Sequence, residues 1–121
     1  MKLTGQKFKF MEKEVQIWLE DIKQSIDEIE EFLPKKRNFF EFQKDLKTRK
    51  AIERNIEIIG EAVNRILKAN PDIKINNARK IVDTRNRIIH GYDIVSEDII
   101  WAIVSNDLKK LQEEINQLLE E

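Results

Sequence analysis

The only histidine and the only tyrosine of this 121-residue chain lie two positions apart, in Asp83-Thr-Arg85-Asn86-Arg87-Ile-Ile-His90-Gly91-Tyr92-Asp93. Histidine titrates near neutral pH, so His90 can take or give a proton under physiological conditions. Arginine stays charged, and its planar fork matches two oxygens of a phosphate. Together they offer what RNA cleavage needs: a base for a ribose 2′-hydroxyl and a cation for the crowded phosphoryl transition state. Such a reaction requires no metal.

Each of these residues also has a structural account. A histidine in the last turn of a helix suits the helix dipole and can bond the orphan carbonyls. Arginines on a helix are usually solvated or paired with a carboxylate such as Asp83. Tyr92, after a glycine, fits a half-buried anchor with a wet hydroxyl.

Spacing adds two constraints. Five residues at about 100° each put Arg85 roughly 140° from His90 on a regular helix, while Asn86 shares the histidine's face. One histidine, moreover, cannot be acid and base in the same step. Both constraints ease if two chains meet along this helix, so a homodimer is the chemical expectation.

The elements that must position these residues read as helices throughout. Val15, Trp18, Leu19, Ile22, Ile26, Ile29 and Leu33 recur at steps of three and four, one stripe of a first helix that Pro34 stops. Asn38 caps a short helix bearing Phe39, Phe40, Phe42 and Leu46, with Glu41 in the capping-box position. Thr48 is read as the cap of a long helix striped by Ile52, Ile56, Ile59, Val63 and Ile66, which Asn70-Pro71 ends. Gly60 sits inside it at a cost of about 1 kcal/mol relative to alanine, which predicts close approach of a neighbouring helix. A fourth helix starts at Asn76 or Asn77, carries the motif and ends at Gly91. Ser96 caps a fifth, with Glu97 and Asp98 in its first turn and Ile100, Ile103, Val104, Leu111, Ile115 and Leu118 on its buried face. No segment alternates with period two. The expected fold is all-α, an antiparallel up-and-down bundle of four long helices and one short one.

Composition bounds the rest. The length fits one domain. Residues 1–10 lack the continuous apolar core of a secretory signal and are expected to be a disordered or frayed extension before a domain at 11–121. Cysteine is absent, which excludes disulfides, thiolate zinc sites and a cysteine nucleophile, and suits a cytoplasmic protein. One histidine leaves little for a transition metal, and no metal or cofactor is expected. No stretch approaches the roughly 20 apolar residues of a membrane span. A formal net charge of −1 argues against a protein that coats nucleic acid. Charge is uneven, however: Lys35 to Lys50 and Lys74 to Arg87 are basic stretches, readable as a local groove or as solvated faces.

The arrangement Arg85, four residues, His90, one residue, Tyr92 resembles the signature of HEPN domains, specifically of the HepT-like toxins, in which a polar residue such as Asn86 commonly follows the arginine. Trp18-Leu-Glu-Asp-Ile22, Arg54-Asn-Ile-Glu-Ile-Ile-Gly-Glu-Ala62 and Asn106-Asp-Leu108 look like family positions in the right order, and the resemblance runs from about Met11 to the C-terminus. Asp72-Ile-Lys-Ile-Asn-Asn77 departs from it, standing where relatives often carry a proline–tryptophan loop. The resemblance implies a metal-independent endoribonuclease acting on tRNA or mRNA in a cleft at a dimer interface. Arg85 and His90 would be the catalytic pair, with Asn86 orienting the phosphate or the imidazole. It also implies an antitoxin partner, a minimal nucleotidyltransferase similar to MntA, that transfers AMP from ATP to Tyr92. The competing reading is a non-catalytic module that binds and regulates such a nucleotidyltransferase.

Overall fold

A computed structural model describes residues 2–33, 35–90 and 97–120 of the chain, with side chains from Lys13 onward. The described residues form helices α1 (Lys2–Phe32), α2 (Phe39–Lys44), α3 (Leu46–Ala69), α4 (Ala78–His90), α5 (Glu97–Ala102) and α6 (Leu108–Glu120). A π-helical turn, Ile103–Asp107, joins α5 to α6. No strand occurs among the described residues, so the chain is all-α as expected. No described helix is long and apolar enough to cross a membrane.

The first helix starts earlier than the apolar pattern does. Its backbone is helical from Lys2, through the segment read from sequence as an extension. Residues 2–10 contain no proline to stop it. At its other end α1 stops at Phe32, two positions before Pro34.

The predicted stripes make the core. Ile22, Ile26 and Ile29 of α1 meet Ile52, Ile56, Ile59, Val63 and Ile66 of α3, all essentially inaccessible to water. Burying a side chain of this size is worth about 1.5–3 kcal/mol. The centre of the bundle is α3, packed on α1 along one side and on α4 along the other. The second helix behaves differently from its apolar reading: it buries Phe42 but exposes Phe40, and it ends at Lys44, so that exposed Leu46 opens α3 instead. Its anchor is aromatic, with Phe42 and Phe39 against Trp101 of α5 at ring-centroid distances of 5.0 and 5.8 Å.

Two caps were expected in this region, and one moves. Asn38 caps α2 by accepting from the backbone N–H groups of Phe40 and Glu41. The cap of α3 is Asp45 rather than Thr48. Its carboxylate accepts from the Thr48 N–H at 3.1 Å and from the Thr48 hydroxyl at 2.6 Å. Thr48 therefore sits one turn inside the helix as the donor, because an aspartate three residues earlier can satisfy the orphan N–H groups first.

The loop between α3 and α4 sets where the motif helix begins. Asn77 takes a left-handed φ of 60°, which asparagine tolerates better than most residues. Its carbonyl accepts from the Ile81 N–H, opening α4. The Asn76 N–H donates to Glu114 of α6 at 2.8 Å, and Ile75 is buried beneath the turn. A second tie comes from the π-turn, whose buried Asp107 carboxylate meets Lys80 of α4 at 3.0 Å. Arg37 donates to the Val104 carbonyl in that same turn at 3.3 Å.

Candidate active site

The motif helix is set deep against α3 at Gly60. A Cβ built on Gly60 would lie 2.3 Å from Arg85 Cβ and 2.7 Å from its Cγ. No side chain larger than hydrogen fits between the helices at this point, so the glycine admits the root of the arginine. Buried Ile81, Val82 and Thr84 hold α4 in that seat, with the Thr84 hydroxyl bonded back to the Lys80 carbonyl at 2.9 Å.

From that root the Arg85 side chain runs to two partners. One nitrogen, Nη2, is ion-paired with Glu61 of α3, and the other, Nη1, donates to Asn86 Oδ1 at 2.5 Å. The arginine side chain is 18% exposed and the glutamate 38%, so the pair is half-buried. Glu61 also accepts from Arg65 Nε at 3.0 Å.

The arginine fork thereby reaches the side of α4 that bears His90. Asn86 lies four residues before His90, on one face of the helix, and it is Asn86 that accepts from Arg85. His90 is exposed and is the last residue of α4. The structure thus brings Arg85 and Asn86 into contact and places His90 one turn beyond. Tyr92, together with the expected stop at Gly91 and cap at Ser96, lies outside the described residues.

An open groove of about 310 Å³ runs beside Arg85 between α1, α3 and α4. Its apolar wall includes half-buried Trp18 and exposed Ile89. Its charged residues balance, with Arg54, Arg65 and Arg85 set against Asp21, Glu57 and Glu61. Arg54 and Glu57 pair directly at 3.0 Å. Lys80 and Arg85, both in the second basic stretch, are committed to carboxylates. This stretch is therefore not a continuous cationic surface. Among the described residues no three His, Cys, Asp or Glu side chains are grouped as metal ligands.

Sequence reasoning singled out Arg85, Asn86 and His90 but did not identify Glu61 or Arg65 as their neighbours. The available signal was Gly60: a helix admitted so closely there must meet whatever side chain follows the glycine.

The chain matches the sequence model of a family described as "Ribonuclease HepT-like" over residues 22–118. It is 35% identical over 115 residues to "Putative RNase MJ0127" of Methanocaldococcus jannaschii, covering 88% of this chain and 91% of that protein. It is 34% identical over 105 residues to "Probable ribonuclease HepT" of Thermococcus cleftensis, covering 84% and 92% of the two chains. A third relative, "Gamma-glutamylcyclotransferase and putative RNase MJ0434" of Methanocaldococcus jannaschii, is 35% identical over 117 residues. That match takes in 92% of this chain but only 50% of the relative. No solved structure matches significantly. With the helical bundle and the Arg85–Asn86–His90 arrangement in view, the chain belongs to the HepT-like ribonuclease family.

Proposed function

We propose that the chain is the toxin of a type VII-like toxin–antitoxin pair, a metal-independent endoribonuclease that cuts tRNA or mRNA in the cytoplasm. The observation that supports this most is the contact of Arg85 with Asn86 beside the exposed His90. In the reaction, His90 takes the proton of a ribose 2′-hydroxyl as that oxygen attacks the adjacent phosphorus. The bond from phosphorus to the 5′-oxygen breaks, leaving a 2′,3′-cyclic phosphate. The departing oxygen takes a proton from a second histidine in its imidazolium form. Arg85 binds the non-bridging oxygens as charge builds on them, and Asn86 orients the phosphate or the imidazole.

The second histidine is the reason for a homodimer. Each protomer carries only one, so a second copy of α4 completes the acid–base pair. Trp18 and Ile89 on the wall of the groove support such a contact, with Arg85 left open to the cleft between the two copies.

Control falls to a nucleotidyltransferase antitoxin. The Tyr92 phenol gives up its proton to a base of that enzyme as its oxygen attacks the α-phosphorus of ATP, pyrophosphate leaves, and the tyrosine gains a phosphodiester charge and a bulky base. Both oppose the RNA phosphate that Arg85 must bind. The second reading is a non-catalytic module that regulates such an enzyme, and the mixed charge of the groove also suits a protein partner.

One experiment separates them. Wild type, Arg85→Ala and His90→Ala are expressed, growth is followed, and total RNA is incubated with each purified protein in EDTA. The ribonuclease reading expects arrest and cleavage by wild type alone, with both variants folded. Intact RNA in every sample turns the assignment to the regulatory module.

A further inference from the structure

Glu61 occupies a place that the proposed reaction leaves unexplained. Its two carboxylate oxygens are held by two different arginines, Oε2 by Arg85 across the helix interface and Oε1 by Arg65 one turn along α3. A carboxylate gripped in this way presents to the guanidinium groups what two non-bridging phosphate oxygens would present. It is also more open to solvent than the arginine behind it, at 38% against 18%. An arriving phosphate therefore meets a site already filled by an anion of the same charge as a phosphodiester.

We propose that Glu61 is a resident competitor for the substrate phosphate: it holds Arg85 and Arg65 as a pair in the RNA-free protein and is displaced when a phosphate binds both. The inference rests on the ribonuclease reading above. It makes Glu61 a positioning residue and Arg65 a second phosphate ligand. The exchange is feasible because a partly exposed ion pair is weak in water and is screened by salt. Displaced, the carboxylate swings to solvent at little desolvation cost. Arg65, itself more than half exposed, can turn with the incoming anion.

The test is a titration with inorganic phosphate that follows the side-chain Nε–Hε NMR signals of Arg85 and Arg65. Wild type is compared with Glu61→Gln, which keeps the shape and removes the charge. Glu113→Gln, an exposed position on α6, controls for net charge. In Glu61→Gln half-saturation falls roughly three-fold or more, as expected when a competing charge beside the site is removed, while Glu113→Gln titrates like wild type. The two arginine signals move together in each titration. In a separate arm with a 2′-deoxy oligonucleotide, Arg65→Ala weakens binding and lowers the salt slope by about one phosphate contact. Equal midpoints in wild type and Glu61→Gln, or an Arg85 signal that moves without that of Arg65, overturns the proposal. Phosphate binding does not depend on cleavage. A failure of the ribonuclease reading would show as Arg85→Ala and wild type treating RNA alike, independently of these midpoints.

Discussion

Gly60 on α3 and Arg85 on α4 are in contact at the root of the arginine side chain, closely enough that a Cβ on Gly60 would overlap Arg85 Cβ at 2.3 Å. The atom it would strike is not the flexible end of the side chain, so the helices themselves would have to part. Alanine at this position gains about 1 kcal/mol of helix propensity. Overpacking costs about 1–3 kcal/mol. Gly60→Ala is therefore expected to lower Tm by several degrees and to cut RNA cleavage at least about ten-fold, since Arg85 shifts with α4. Thermal unfolding beside a cleavage assay reads both. A Tm that rises with cleavage unchanged would show that the close approach is dispensable.

Ile89 is 47% exposed on the wall of the groove beside Arg85. If two copies of α4 meet there, Ile89→Asp buries an unpaired charge in the contact, which is costly. Dimer dissociation is expected to become at least about ten-fold easier, a difference of about 1.4 kcal/mol. Sedimentation across a concentration series measures this. A wild type that sediments as a monomer throughout would remove the two-histidine mechanism.

The N-cap of α3 is sensitive to acid. Hydrogen bonds from the Thr48 hydroxyl and backbone N–H hold the Asp45 carboxyl below its ordinary value of 3.8. A carboxyl lowered by folding stabilises the native state above its unfolded pKa. That contribution fades as pH falls from about 3.8 through the lower folded value. Asp45→Asn keeps a capping oxygen but carries no such titration. The Tm gap between wild type and Asp45→Asn should be flat near neutrality and should shrink below pH 3.8. A gap that widens on acidification would contradict the cap as described.

Tyr92→Phe tests the proposed switch apart from the proposed chemistry. Because the tyrosine hydroxyl takes no part in the cleavage step proposed here, the variant is expected to cut RNA within about two-fold of wild type. It should accept no AMP from the nucleotidyltransferase and should escape inhibition by it. Mass measurement of both proteins after incubation with the partner and ATP gives the first result, and the cleavage assay gives the second. Full silencing of Tyr92→Phe by a catalytically active partner would discard tyrosine modification as the control.

Much of this molecule was legible in local pattern. The stripes Ile22–Ile26–Ile29 and Ile52–Ile56–Ile59–Val63–Ile66 announce their helices and their buried faces, because helical period and burial are properties of spacing. Asn38 could be assigned as a cap from its position before an aromatic run. Gly60 could be read as a site of close approach because a mid-helix glycine needs compensation. The motif around His90 was visible as a cluster of rare residue types.

What lay beyond the sequence depended on partners distant along the chain or on competition between neighbours. Thr48 and Asp45 are both good caps, and which one begins α3 follows from where the chain enters after α2. The π-turn at Ile103–Asp107 leaves no mark on the apolar spacing, yet it carries Asp107 to Lys80 of α4. Arg85 and Glu61 are 24 residues apart, and neither spacing nor composition says that they pair. Helical periodicity specifies which face of each helix is buried, but rotation and register between helices are set by how their side chains interlock. Only that interlocking, with α4 seated on Gly60, turns an arginine and a glutamate on separate helices into one site.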